Sequence, residues 1–196
     1  MNKLIAKTAA ITFGALLTVT LIIYLCFALF APLKMSEFYN GVGSGTLSLK
    51  YAERAYEKDT TDDNLLLVIR RAIAAENPDK TVQYCEILFE KVPDKLSEDE
   101  TVYYQIKYCV ALYDTGKDDL AITCAYGFSK NYLPNNAMEG LTAYGFTKGD
   151  KKFMQNILTQ LNLMVDFPDI TEENRTTLKT RIAQIEKYLD IKPGHD

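Results

Sequence analysis

The spacing of hydrophobic and polar positions changes character along the chain. Residues 8–33 contain no Asp, Glu, Lys, Arg or His, so this segment has no polar face and reads as one continuously apolar helix. Beyond it, apolar residues recur three and four apart, the period of helices that bury one side. In residues 102–130, Tyr104, Tyr108, Ala111 and Leu112 share a face and a stop follows at Thr115, Gly116 and Lys117. A second helix then carries Leu120, Ala121, Cys124, Ala125 and Phe128. In residues 171–189, Leu178, Ile182, Ile185 and Leu189 form the apolar stripe, with Lys179, Arg181, Glu186 and Lys187 opposite. No stretch alternates at period two for long enough to require a sheet, and the fold class predicted is all-α.

Local punctuation predicts helix starts at the same places. Asn77 before Pro78 suits a cap followed by proline in the first helical position. Ser97 and Glu100 have the spacing of a capping box, in which hydroxyl and carboxylate satisfy helix-start amides reciprocally. Asn135 after Pro134, and Thr171 after Pro168, mark two further starts. The pairs Asp62, Asp63 and Glu98, Asp99 fall at helix starts, where the macrodipole favours carboxylates.

The uncharged run is about 39 Å long as a helix, against about 30 Å of bilayer hydrocarbon, so it is long enough to span with tilt. It exceeds the roughly 7–15 apolar residues of a cleaved signal core, and residues 27–31 (FALFA) lack the small-x-small pattern of a cleavage site. An uncleaved single-pass anchor is therefore expected, with membrane lipid as its partner. Lys3, Lys7 and the terminal amine precede the run, whereas only Lys34 and Lys50 follow closely, which places the N-terminus in the cytoplasm and the helical domain outside. A span without an ionisable residue offers no ion path, so its role is attachment, and Cys26 within it is a packing residue.

The chain also repeats. Residues 48–58 (SLKYAERAYEK) align with residues 81–91 (TVQYCEILFEK) at an offset of 33, with Tyr, Glu, Glu and Lys recurring. A period near 33 is typical of solenoids, in which each unit leaves an apolar face for the next to cover. The helix-turn-helix around Gly116, Ala121, Ala125 and Phe128 resembles a tetratricopeptide repeat. Gly43, Ser48, Ala52 and Ala55 match an earlier unit, Thr81, Cys85 and Leu88 a second, and Gly149, Met154, Leu158 and Leu161 a fourth. The family's tryptophan is absent, its inter-repeat proline is met approximately by Pro134 and Pro168, and residues 93–100 insert between units two and three. This resemblance implies an N-terminal tail (residues 1–7), a transmembrane helix (8–33) and a helical-repeat domain (34–192), followed by a short tail (193–196). The hairpins would occupy about 35–59, 63–92, 98–131 and 135–164, with a capping helix at 171–190.

In tetratricopeptide-like stacks the first helix of each hairpin lines a concave groove that receives an extended peptide or a partner helix. The resemblance therefore implies that Arg70, Tyr103, Lys107, Tyr113, Asn136, Glu139 and Phe146 lie near such a groove, with aromatic and arginine side chains as anchors. Leu66 and Val110 stand where the family's carboxylate-clamp positions would be polar, so recognition of a C-terminal tail through that clamp is not implied. Most of the 13 tyrosines, among them Tyr51, Tyr84, Tyr108 and Tyr126, are expected to pack within or between repeats.

Composition narrows the chemistry. All 26 acidic residues but only 20 of the 22 basic ones follow residue 33, a formal charge of −6 that repels phosphate backbones and makes nucleic acid a poor partner. The only histidine, His195, sits beside the C-terminus, which disfavours histidine-dependent catalysis. Cys85, Cys109 and Cys124 form no C-x-x-C pair and read as buried free thiols. The glycines of residues 41–46 (GVGSGT) lack the G-K-S/T of a phosphate loop and read as an interhelical turn. No cofactor, metal or catalytic group is expected. The leading expectation is a non-catalytic, membrane-anchored scaffold for a protein or peptide partner. Its alternatives are a structural subunit held in a membrane complex by its span, and a hydrolase using carboxylates alone.

Overall fold

The computed structural model describes residues 2–91, 96–129 and 136–191, with side chains from Lys7 onward. Pro134 and Asn135, expected to begin a helix, lie outside the described residues, as do His195, residue 92 and residues 93–95 of the insertion. Ten α-helices and no strand make up the described residues: α1 (Asn2–Phe30), α2 (Pro32–Gly41), α3 (Gly45–Lys58), α4 (Asp62–Ala74), α5 (Pro78–Lys91), α6 (Glu98–Asp114), α7 (Asp118–Phe128), α8 (Ala137–Lys148), α9 (Lys151–Val165) and α10 (Glu172–Tyr188). They pack largely in sequence order and fall into two compact units, Met1–Asn77 and Pro78–Asp196. The segment expected as one hairpin over 63–92 thus contributes α4 to the first unit and α5 to the second.

The apolar run is not one helix to its end. Pro32 lacks an N–H and crowds the residue before it. Ala31 accordingly leaves helical geometry at φ −131, ψ 58, and the proline opens α2. Along α1 the apolar side chains are exposed, Phe13 by 68% and Phe30 by 75%. The hydroxyls of Thr12, Thr18 and Thr20 donate to carbonyls one turn back at 2.9–3.0 Å, so they add no unsatisfied donor to an apolar surface. By length and composition this exposed helix is long and apolar enough to cross a membrane, as an anchor or a signal sequence would.

In the first unit, α2 and α3 form a tight pair. The Ser36 and Ser48 hydroxyls are fully buried, and each donates across the pair to the other residue's carbonyl at 2.9 Å. Two polar groups that would be costly alone therefore satisfy one another. Leu49, Ala52, Leu65, Val68, Ile69 and Ala72 fill the core. Gly45, at the start of α3, sits so near the end of α4 that a Cβ there would be 3.1 Å from the Ala75 Cα.

The repeated segments share a burial pattern as well as letters. In α3 the buried positions are Ser48, Leu49, Tyr51, Ala52 and Ala55. In α5 they are Thr81, Val82, Tyr84, Cys85 and Leu88, the same five positions 33 residues on. The capping predictions also find their partners: Ser97 and Glu100 form the reciprocal capping box, and Thr171 accepts from the Asn174 amide. Asn136 caps α8, one residue beyond the predicted Asn135. The α6–α7 turn closes on Gly116 at φ +74, where the Lys117 amide reaches the Leu112 carbonyl and the Gly116 amide reaches that of Tyr113.

In the second unit α6 packs on α5, α7 and α8, and α9 carries α10. Leu112, Met138, Leu141, Met154, Ile157 and Leu161 are at most 1% exposed. Gly140 permits the close approach of α8 to α6, since a Cβ there would lie 2.7 Å from Ile106 side-chain atoms. Helix propensity gains only about 1 kcal/mol when glycine is replaced, whereas overpacking costs about 1–3 kcal/mol, so packing wins for a branched side chain. Gly140→Val is expected to destabilise the second unit by about 1–3 kcal/mol in urea unfolding of the full chain in micelles. Adding Ile106→Ala should make the double variant more stable than the two separate losses predict.

Candidate functional site

The residues expected to line a groove fall on the first-helix positions of the second unit, with one exception. Arg70 belongs to α4 in the first unit, where it is exposed and donates to the Leu66 carbonyl at 3.3 Å. The others lie on α6 and α8 or immediately before α8.

Three helices make a parallel row. Ile106 faces Gly140, and Tyr113 meets Tyr144 edge to face at 6.0 Å, so α6 and α8 run in the same direction. Arg181 pairs with Glu139, and Tyr188 meets Phe146 edge to face at 5.3 Å, so α10 runs parallel to α8. Helices in this arrangement present a broad surface built from three elements instead of one.

Most of the named side chains tie this row together. Asn136 is buried, and its side chain accepts the Glu139 amide at 2.8 Å. Glu139 is bridged to Arg181, both side chains being largely shielded. Tyr113 lies 4.3 Å from the Phe153 ring centroid and donates to the Asp150 carboxylate at 3.3 Å. Tyr103 is 44% exposed, and the ammonium of Lys107 sits 5.5 Å over its ring. Within the set, Tyr103 and Lys107 are the accessible aromatic and cationic pair, while Tyr113, Asn136, Glu139 and Phe146 contact neighbouring helices or cap them.

The structure adds a polar cluster around Tyr113. Tyr144 donates to both Asp114 carboxylate oxygens at 2.7 and 2.8 Å. Lys148 pairs with Asp114 at 3.2 Å and lies 4.9 Å over the Tyr144 ring. Asp150 caps α9 while accepting from Tyr113. Burial is the main influence raising both tyrosine hydroxyls, with Asp150 adding to it at Tyr113. At Tyr144, Asp114 raises and Lys148 opposes. Hydrogen bonding to Tyr144 and then Asp114 raises Lys148. Hydrophobic period and family resemblance do not single out Asp114, Tyr144, Lys148 or Arg181. One signal in the sequence does point to two of them, because Asp114 and Lys148, like Ile106 and Gly140, stand 34 residues apart, one repeat length, whereas nothing of the kind marks Tyr144 or Arg181.

The thiols are placed for packing. Cys85 and Cys109 are fully buried and unpaired as disulfides, and Cys124 is half-buried. Burial pushes the Cys85 thiol up to about 12 and raises Cys109 and Cys124 as well, which disfavours the nucleophilic thiolate. Among the described residues, no group of three His, Cys, Asp or Glu side chains is placed to hold a metal ion. Residues 41–46 run from the last residue of α2 through the turn at 42–44 into the start of α3, with Gly43 at φ +76.

No family model, curated protein or solved structure matches this chain.

The tyrosines set a pH dependence. Tyr113 and Tyr144 have folded values above the ordinary 10.0, so folding favours their protonated forms. That contribution is fully present below the unfolded value and is lost as pH rises through the folded one. Unfolding free energy is therefore expected to fall above about pH 10. Absorbance at the phenolate band should show fewer late-titrating tyrosines in the Tyr113→Phe, Tyr144→Phe variant than in the parent, with Tyr108, itself raised by burial, among those that remain.

Proposed function

We propose that the protein is a non-catalytic scaffold, anchored in a membrane by α1 and binding a protein or peptide partner through the surface formed by α6, α8 and α10. The observation that carries this reading is the parallel row itself, braced by Arg181 with Glu139, Lys148 with Asp114, and Tyr113 with Tyr144. Bracing of this kind fixes a surface before a partner arrives, which lowers the ordering cost of binding. Tyr103, partly exposed and paired with Lys107, offers the aromatic and cationic contact that interface anchors favour. The same arrangement fits the tetratricopeptide-like solenoid implied by the 33-residue repeat. In this reading the N-terminus is cytoplasmic and the helical units lie on the other side, following the basic residues before the span.

Site-specific photo-crosslinking in the full-length chain, in its native membrane, tests the binding surface. A photoreactive residue replacing Tyr103 is expected to capture a discrete partner, with at least about a tenfold reduction when Lys107→Glu is added, as for loss of an interface anchor. The same probe at Thr159 on α9 is expected to capture none. Equal adducts at both positions would remove the groove from the proposal.

One observation favours a second reading, a structural subunit held by its span: the side chains of α1 before Tyr24 are all exposed from Lys7 onward. Exchange of residues 8–23 for an unrelated apolar sequence keeps the contacts of Tyr24 and Ala28. Loss of assembly after that exchange would favour the subunit, whereas a pure anchor retains function.

A further inference from the structure

The last turns of α1 do not stand free of the first unit. Ala28, Met35 and Tyr51 form one buried cluster with Tyr39 against it. The Tyr24 hydroxyl is 3.1 Å from those of both Tyr39 and Tyr51. If α2 continued the line of α1, Tyr24 and Tyr39 would be about 22 Å apart along the axis. Their contact therefore requires α2 to turn sharply off the line of α1, bringing Met35 against Ala28 and Tyr39 to Tyr24. Helix α3 returns in the opposite sense, with Tyr51 level with Tyr24 and the Lys58 ammonium 3.5 Å from the Phe30 carbonyl.

This register sends the α2–α3 turn toward the N-terminal half of α1. Val42 is three residues beyond Tyr39, and Leu47 four before Tyr51, so both reach about 5–6 Å past the level of Tyr24. Measured from Lys7 along an untilted helix, a hydrocarbon layer of about 30 Å ends some 20 residues later, near Phe27. The turn lies on the membrane side of that boundary.

Its chemistry suits such a place. Residues 38–49 contain no charged side chain, whereas Lys34 and Glu37 precede them and Lys50, Glu53, Arg54, Glu57 and Lys58 follow on α3. Phe38 is 58% exposed, Val42 61% and Leu47 37%. The connecting amides are paired, Val42 with Phe38, Gly43 with Asn40 and Ser44 with Tyr39, as an apolar layer requires, whereas Ser44 makes no side-chain cap for the first turn of α3.

We propose that the α2–α3 turn, residues 38–49, is a wedge that dips into the same bilayer that α1 spans, inserting Phe38, Val42 and Leu47 at the acyl boundary. This rests on α1 being a retained anchor. Insertion of this kind reaches about 5–10 Å into the boundary region. It holds the first unit flat against the membrane, and a chain emerging straight from the bilayer would not do so.

The chain has no tryptophan, so single substitutions report position directly. Full-length Val42→Trp, Phe38→Trp and Leu17→Trp variants would be reconstituted in phosphatidylcholine vesicles brominated at different depths, with aqueous iodide as the opposing quencher. Val42→Trp and Phe38→Trp are expected to lose about half their emission to bromines near the headgroup end of the acyl chains and little to iodide, as for a boundary-depth insertion. Leu17→Trp should respond most to bromines near the bilayer centre. Deep quenching of Leu17→Trp with both turn variants open to iodide overturns the wedge and leaves the anchor standing. Absence of bromine quenching at Leu17→Trp overturns the anchor and the wedge with it. Turn variants shielded from both quenchers would show the turn covered by protein, either a second copy or another chain, and would also overturn the wedge. Use of both Val42 and Phe38 guards against one substitution failing to fold.

Discussion

The first unit depends on a shared core between an apolar helix and the hairpin that follows it. Tyr24 and Ala28 belong to the last turns of the otherwise exposed α1 and are the packing partners of Met35, Tyr39 and Tyr51. Pro32 makes this possible, because it ends α1 and opens α2 with only Ala31 between them. With a single residue between the helices, the backbone angles of Ala31 and the packing of Tyr24 and Ala28 together set the angle of α2 against α1. The stacked rings of Tyr39 and Tyr51, 5.5 Å apart and 5° from parallel, add a flat and rigid contact on the same spot. Removal of the apolar segment would leave this corner without part of its core.

The second unit solves a different problem, that of holding short helices at a fixed interval. Four of its helices, α5 and α7–α9, have only 11–15 residues, so they are marginal alone in water and depend on burial against their neighbours. The interval is enforced where side chains of different sizes meet one repeat apart. Gly140 lets α8 come close to Ile106, whereas Tyr113, Tyr144 and Phe153 fill the wider space near the helix ends. Polar pairs are set into that framework where they are partly shielded, so Glu139 with Arg181 fixes register more than it adds stability.

Several features are legible in the amino-acid sequence alone. The capping box at Ser97 and Glu100, the left-handed glycine at 116 and the helix start at Thr171 are local, and each depends on a few neighbouring backbone groups. The 33-residue repeat carries more, since five buried positions of α3 recur in α5. The groove residues are less legible. Their positions on first helices follow from period, but their roles depend on which side chain of another helix arrives opposite. Asn136 and Glu139 look equally available in the sequence; one caps α8 from a buried site and the other meets Arg181, 42 residues away.

The sequence by itself determined the helices, their punctuation, the uncharged N-terminal segment and the repeat, because all of these arise from short-range rules of hydrogen bonding, proline geometry and apolar period. Only the tertiary structure decided that α2 turns sharply off the line of α1, and that Tyr24 joins Tyr39 and Tyr51. The same holds for the pairing of Asp114 with both Tyr144 and Lys148. Those outcomes are set by the direction in which one helix leaves another and by the volumes that then meet, quantities that no window of the chain contains.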